Sequence, residues 1–226
     1  MTQDFEKAII QNKETYILQQ LGSDRPFPVN ARNKKLQSGL MLACKRNSIK
    51  VVKMFLEQST TVESDDPSFC NVNLVDGSGW TALHYAAQGG AWECVKLLIK
   101  NEADIDATTD TNETALFLVT KQNHLDIVEF LAENNCHLQA KALCKKKNVK
   151  YSWETQEEEL TALEVAVQHN FIEIAKCLLF HLARTKKLDE EQLNELLLKA
   201  ANEDHTKIAH ELVINGANVN YHEGSI

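Results

Sequence analysis

The sequence lacks an uninterrupted apolar run of about 18 residues, the length that a membrane-spanning helix needs, so it predicts no membrane insertion. Charged and apolar residues alternate through the first 21 positions, which argues against a secretory signal. The six cysteines form no CxxC pair, and several lie in helical patterns where a reduced cysteine acts as a small apolar residue. We therefore expect a reducing compartment, cytoplasmic or nuclear. A secreted effector delivered into a host cytosol would meet the same condition.

The sequence also lacks the motifs of common enzymes. It contains no GxxxxGK[ST], GxGxxG, HExxH or GxSxG pattern. His84 and Cys94 are the types of residue that form a nucleophile pair, and Cys136, His137 and Cys144 resemble part of a metal site. The spacing of those three fits no common zinc pattern. We predict no catalytic residue, no cofactor and no metal site.

The net charge of −8 disfavours general binding to nucleic-acid phosphates. This charge is unevenly distributed along the chain. Residues 1–60 carry 10 Lys or Arg and 5 Asp or Glu, whereas residues 151–226 carry 6 and 14. A protein or peptide partner with complementary charge would be acidic at one end and basic at the other. The sequence carries no signal for an oligomeric state.

What the chain does contain is an internal repeat. Thr81–Leu83 recurs as Thr114–Leu116, 33 residues later, and again at 161–163; Ser38 begins an earlier copy. In each copy a Thr or Ser precedes one apolar helix, and a polar break such as Gly89-Gly90 separates it from a second amphipathic helix. One pair of short helices cannot bury its own apolar face, whereas stacked pairs share a continuous core.

These residues resemble the ankyrin repeat family. DGSGWTALHYAAQGGA at 76–91 matches the family pattern, and EADID at 102–106 and GANVN at 216–220 match its closing turn; the family's Pro after Thr is replaced in every repeat. The resemblance implies an all-α ankyrin-repeat solenoid of stacked helix-turn-helix units with projecting hairpin-like turns, called fingers below. It also implies that His84 forms hydrogen bonds around the helix start.

The predicted domain organisation is a single ankyrin-repeat domain over residues 1–226. Its parts are a degenerate N-terminal capping repeat at 3–30, a repeat at 33–73 with an insertion at 58–70, repeats at 76–108 and 109–141, an insertion at 142–159, a repeat at 160–187, and a divergent repeat at 188–221. The first helix of the last repeat is expected to start near Asp189. The insertions are expected to be surface loops. The chain ends where a further finger would begin, which suggests a fragment of a larger protein or a last surface covered by a partner.

The family resemblance implies a non-enzymatic adaptor or scaffold that binds a partner on its concave face and finger tips. The positions that correspond to this surface are Lys34, Lys35, Lys45, Arg46, Ser78, Trp80, Gln88, Asp110, Glu113, Lys121, Gln122, Glu157, Glu158, Glu159 and His169. Trp80 is either a binding anchor or a residue that packs against the neighbouring finger. The alternative functions are a spacer or regulatory part of a larger multidomain protein, and a bacterial effector acting on host proteins.

One modification site also follows from the resemblance. Family members are substrates of an asparaginyl hydroxylase whose target Asn has a Leu eight positions before it. Leu212 and Asn220 have that spacing, although Asn218 replaces the usual acidic residue two positions before the target. We therefore expect hydroxylation at Asn220.

Overall fold

The computed structural model describes residues 2–21, 28–59, 69–145 and 157–221. The first three helix pairs are α1 (Gln3–Ile10) with α2 (Glu14–Leu21), α3 (Gly39–Lys45) with α4 (Ile49–Ser59), and α5 (Ala82–Gln88) with α6 (Trp92–Lys100). The next three are α7 (Ala115–Lys121) with α8 (Leu125–Glu133), α9 (Ala162–Gln168) with α10 (Ile172–Arg184), and α11 (Glu190–Asn202) with α12 (Thr206–Ile214). Two short strands, β1 (Ala142–Lys145) and β2 (Glu157–Leu160), lie between α8 and α9.

The first helix of each regular pair begins directly after the hydroxyl residue that the sequence predicts as its cap. The side chains of Ser38, Thr81 and Thr161 accept the backbone N–H of the third helical residue, and Thr114 Oγ1 accepts Phe117 N at 3.2 Å. The N–H groups of a first helical turn have no partner within the helix, so such a cap fixes the helix start. The predicted caps are therefore confirmed.

The polar breaks between paired helices contain left-handed residues. Each break has one residue with φ between 52° and 61°, and these six residues are Asn12, Asn47, Gly90, Asn123, Asn170 and Asp204. Gly, Asn and Asp reach this conformation at the lowest cost. The backbone conformation thus reverses the chain at a fixed point, which brings the two helices of a pair together.

The described residues form two compact units, Met1–Leu118 and Val119–Ile226. In the first unit α1 packs against α3, α3 against α5, and α4 against α6. Phe5 and Phe55 meet edge to face in its core, with ring centroids 6.4 Å apart. Both rings are fully buried, so even the degenerate first repeat contributes to the packed interior.

In the second unit α8 packs against α10, α9 against α11, and α10 against α12. Its buried positions are mainly aliphatic and include Ile127, Leu131, Leu163, Leu178 and Leu212. The long first helix predicted for the last repeat is present: α11 begins at Glu190, and the Asp189 side chain caps it by accepting Gln192 N.

The insertions differ from plain surface loops where the structure describes them. Helix α4 continues to Ser59, two residues into the 58–70 segment, and residues 60–68 lie outside the described part of the chain. In the 142–159 segment, β1 and β2 pair antiparallel, with Ala142 opposite Leu160. Both of these residues are buried, which ties the base of the hairpin to the repeats. Residues 146–156, including Trp153, lie outside the described residues.

Within the described ranges, each helix is too short or too polar to cross a membrane.

Candidate functional site

The fingers of the first unit share one turn geometry. Asn33 Oδ1, Asp76 Oδ1 and Thr109 Oγ1 each accept the backbone N–H groups two and four residues further on, at 2.9 to 3.3 Å. Such side-chain acceptors stabilise tight turns by replacing backbone partners. The three fingers therefore present their tips in the same way.

Backbone hydrogen bonds join successive fingers. Gly77 N donates to Lys35 O at 3.3 Å, and Asp110 N donates to Ser78 O at 3.1 Å. Gly79 lies beside the second of these contacts with φ 75°, and a Cβ there would lie 2.9 Å from Asp110 N. A glycine is needed at this close approach, and the backbones of Ser78 and Asp110 hold the finger array while their side chains remain exposed.

His84 connects a helix start to the next finger. Its Nδ1 accepts Thr81 N at 3.0 Å, so the neutral ring carries its hydrogen on Nε2. Nε2 then donates to Ala107 O and Glu113 O, both at 3.0 Å. Burial lowers the pKa of His84, and the two carbonyl groups offset only part of that effect. This geometry confirms the helix-start role predicted for His84.

Tyr85 is the centre of a polar and aromatic cluster at the same finger. Its hydroxyl donates to Asp76 Oδ2 at 2.6 Å and accepts Gln37 Nε2 at 2.6 Å. Burial and the Asp76 carboxylate raise the pKa of Tyr85 to about 12. The Trp80 ring lies 5.1 Å from the Tyr85 ring, and Lys45 Nζ lies 5.2 Å from the Tyr85 centroid.

The cluster bears on the two interpretations of Trp80. Its indole packs on Tyr85 and also lies 6.0 Å from the His84 ring, centroid to centroid, so it packs against its own repeat. It remains half-exposed. A binding role for Trp80 therefore stays a prediction.

Four predicted cationic residues converge on one groove of the first unit, which we call the basic groove. Lys34, Lys35, Lys45 and Arg46 line it, and its volume is about 610 Å³. All four are exposed. Glu6 is the carboxylate among the lining residues, and its Oε1 accepts Asn33 Nδ2 at 2.8 Å. The groove thus carries more positive than negative charge.

The other predicted residues do not gather in that groove. Gln88 ends α5 and is exposed; the half-buried Glu113 contributes its carbonyl to His84 and its N–H to Thr109. In the second unit the exposed or half-exposed predicted residues are Lys121, Gln122, Glu157, Glu158, Glu159 and His169. The His169 ring stacks on Phe171 with centroids 5.3 Å apart. Their binding roles stay predictions.

Asn220 lies in an exposed turn and its N–H donates to Asn218 Oδ1 at 2.9 Å. Its hydroxylation stays a prediction. Among the described residues, no group of three or more His, Cys, Asp or Glu side chains is arranged to hold a metal ion.

Two features of the structure do not follow from the sequence. The first is the role of Tyr85, because its apolar neighbours in "LHYAA" indicate a core helix and give no sign of its bond to Asp76. The second is a pocket beside α11. The sequence shows only that the connection between α10 and α11, residues 185–189, is short, and not that a pocket forms beside it.

The comparisons with known proteins agree with this architecture. A family model described as ankyrin repeats in three copies matches residues 7–109, 40–142 and 93–190. The chain belongs to the ankyrin repeat family. Ankyrin repeats are in general protein–protein interaction modules and are typically non-enzymatic.

Relatives and solved structures define how far the similarity extends. An ankyrin repeat and KH domain-containing protein of Caenorhabditis briggsae is 25% identical over 202 residues, which is 88% of this chain and 7% of that protein. Mouse protein phosphatase 1 regulatory subunit 27 is 38% identical over 61 residues, which is 27% of this chain and 40% of that protein. This chain therefore spans less than half the length of either relative.

An ankyrin repeat domain from Acinetobacter baumannii AYE has a similar solved structure, with a TM-score of 0.72. The alignment covers 95% of this chain and 98% of that one at 20% identity. At this identity the similarity establishes the fold alone. It confirms the predicted all-α repeat architecture.

Proposed function

We propose that this chain is a non-enzymatic adaptor whose basic groove binds an acidic segment of a partner protein. The supporting observation is the convergence of Lys34, Lys35, Lys45 and Arg46 on one groove beside the Tyr85 and Trp80 rings. Cations concentrated on one face steer an oppositely charged segment and fix its orientation. A neighbouring half-exposed aromatic ring adds contact area of the kind that is enriched in binding hot spots.

A cytosolic or nuclear site of action is part of the same proposal. The six cysteines all lie within the described ranges and form no disulfide, and four of them are buried. Proteins that work in a reducing compartment keep their thiols reduced. A host cytosol reached by a secreted effector offers the same conditions, so the proposal covers both origins.

The test uses a display library of random short peptides selected on the immobilised full chain. The groove variant is Lys45→Glu with Arg46→Glu. The control is Lys53→Glu with Lys100→Glu, two exposed lysines on α4 and α6 outside the groove, which gives the same change in net charge. Circular dichroism melting first establishes that each bait is folded.

We expect the wild type and the control to enrich acidic peptides, and the groove variant to bind them at least about tenfold more weakly, a difference of roughly 1.4 kcal/mol. Binding should also weaken as salt is added, because exposed charges are screened. Equal binding by the groove variant, or no enrichment of acidic peptides on the wild type, would reject the groove as the site. A spacer function would then be the better explanation.

A further inference from the structure

A pocket of about 390 Å³ lies in the second unit between the base of the β1–β2 hairpin, the start of α9 and the start of α11. Its apolar wall consists of five leucines: Leu138, Leu163, Leu182, Leu188 and Leu196. Glu164, Gln192 and Glu195 supply polar groups beside them. A concave site of this size that combines an apolar wall with polar groups is suited to bind an apolar side chain and its polar neighbours.

The pocket occupies the place where other repeats have a finger. The connection between α6 and α7 in the first unit comprises residues 101–114, and its finger covers the start of α5 through the bonds from His84 to Ala107 O and Glu113 O. In the second unit, residues 185–189 alone connect α10 with α11. A connection this short suffices only to join the helices, so the start of α9 borders a pocket.

Glu164 takes the position of His84 in the corresponding capping box. Its Oε2 accepts Thr161 N at 2.9 Å and Thr161 Oγ1 at 3.0 Å, while its Oε1 accepts Lys199 Nζ at 3.0 Å. Burial alone would raise the pKa of Glu164, but the Thr161 N–H and the Lys199 ammonium outweigh it and lower the pKa. An ionised carboxylate accepts hydrogen bonds and cannot donate them. The Glu164 carboxylate therefore pairs with N–H donors, whereas the Nε2–H of His84 at the corresponding position pairs with carbonyl groups.

Carboxylates gather at one side of the pocket. Glu190, Glu191 and Glu195 are exposed on the first turns of α11, and Glu159 is exposed on β2, which leads directly into Thr161. Cations also lie close by: Lys141 lines the pocket, Lys199 is engaged with Glu164, and Lys186 and Lys187 are exposed on the connection beside Leu188. The carboxylates on the first turns of α11 favour a positively charged group next to that helix start.

Two hydrogen bonds join the segments that line the pocket. Gln139 Nε2 donates to Lys187 O at 2.7 Å and to Gln192 Oε1 at 3.3 Å. These bonds join the base of the finger to the connection and to α11. A site already formed in the free protein loses less conformational entropy when it binds.

We propose that this pocket binds an extended segment of a partner protein in which a leucine-sized apolar side chain is flanked by Lys or Arg. The apolar side chain fills the space between the five leucines, and the flanking cations face the carboxylates of α11 and β2. This inference rests on the interaction function proposed above and adds a second site of different chemistry. The segment would supply the contacts that a finger supplies in the other repeats.

The same display library tests this site with variants of its own. Leu188→Trp fills the pocket from the half-buried connection, and Leu188→Phe is a milder filling change. Glu195→Lys reverses one lining charge, and Glu203→Lys makes the same reversal at the other end of α11, outside the pocket. Circular dichroism melts establish that each variant is folded.

We expect the wild type and Glu203→Lys to enrich peptides with a Leu, Ile or Met between basic residues. Leu188→Trp should lose this class, Leu188→Phe should bind it more weakly, and Glu195→Lys should keep the apolar residue but lose the basic preference. The inference is overturned if the wild type does not enrich this class or if Leu188→Trp retains it. Acidic peptides whose binding depends on Lys45 and Arg46 report on the basic groove alone. The experiment can therefore reject the proposal for one site without rejecting the proposal for the other.

Discussion

At the scale of single residues, His84 combines burial with a fixed tautomer. Its Nδ1 faces a backbone N–H of Thr81, so a proton added at Nδ1 would meet another donor. Its Nε2 hydrogen is already shared between two carbonyl groups. Protonation at Nδ1 would end its acceptance of the Thr81 N–H, a contact that holds the helix start. Burial, which disfavours the charged ring, is the main cause of the lowered pKa of His84.

The first prediction concerns the pH dependence of stability. In the unfolded chain His84 titrates near its ordinary value of about 6.5, and in the folded chain its pKa is lower. The stabilisation is present above pH ~6.5 and is lost as the pH falls toward the folded pKa, by up to about 1.4 kcal/mol for each pH unit. Urea unfolding of the wild type and of His84→Gln between pH 7 and 5 measures this loss.

Gln is the appropriate replacement because it completes a capping box at the same position without titrating in this range. The difference in unfolding free energy between wild type and variant should shrink on acidification, while effects of the other titrating groups cancel. Parallel pH profiles of the two proteins would show that the imidazole does not make this contribution.

At this scale the sequence predicts those features whose cause lies within a few residues. The caps at Ser38, Thr81 and Thr161 and the polar breaks, such as Gly89-Gly90, depend on residues a few positions apart. The bond from Gln37 to Tyr85 joins residues 48 positions apart. No short-range pattern encodes it, so the polar and aromatic cluster becomes visible only when the repeats are stacked.

At the scale of elements, α11 departs most from the repeat pattern. It has 13 residues, whereas α9 has 7, and it starts after the short 185–189 connection. Its start near Asp189 was predictable because an acidic cap precedes a helix-forming segment. The pocket beside α11 was not predictable, because its formation depends on how the lengthened helix packs against the base of the finger.

The second prediction tests the cap of this helix. Asp189 Oδ1 accepts Gln192 N at 2.7 Å. Asp189→Ala should lower the free energy of unfolding by about 1 kcal/mol, because it leaves a first-turn N–H without its partner. Asp189→Asn keeps an oxygen acceptor and should cost much less. Chemical unfolding of the three proteins gives the comparison, and equal losses for Ala and Asn would rule out the capping explanation.

At the scale of the whole molecule, the predicted charge gradient takes a definite form within each unit. The basic residues of the first 60 positions include four that share a groove, whereas the acidic residues of the second unit are distributed over several elements, β2 and α11 among them. The sequence indicated which residues carry charge. It could not indicate which of them share a cavity, because Lys34 and Lys45 approach each other only through the packing of finger and helix.

The third prediction uses the cysteines as reporters along the chain. Cys44 and Cys94 are fully buried, and burial raises the pKa of Cys44 well above its usual range. Burial also raises the pKa of the half-exposed Cys177 to about 11. A thiol with that pKa has about a hundredfold less thiolate near neutral pH than an ordinary one, and the thiolate is the reactive form.

Pulse labelling with a thiol reagent, read by peptide mass spectrometry, measures the rate at each position. Cys177 should react more slowly than an unperturbed exposed thiol, by up to about a hundredfold, since the higher nucleophilicity of a more basic thiolate offsets part of the loss. Cys44, which is buried and has a raised pKa, should be slower still until denaturant opens the stack. Labelling of Cys44 in the native protein at the rate of an exposed thiol would contradict the burial described above.

The helix packing within each unit has a kinetic consequence. In the first unit α1 meets α3 and α2 meets α4, and in the second α9 meets α11 and α10 meets α12, so these partners are neighbours one repeat apart in sequence. Contacts of such short range need little loop closure, which speeds folding and lets it begin in any repeat. A damaged repeat weakens its immediate neighbours most. The same locality makes the chain tolerant, over evolutionary time, of gaining or losing whole repeats.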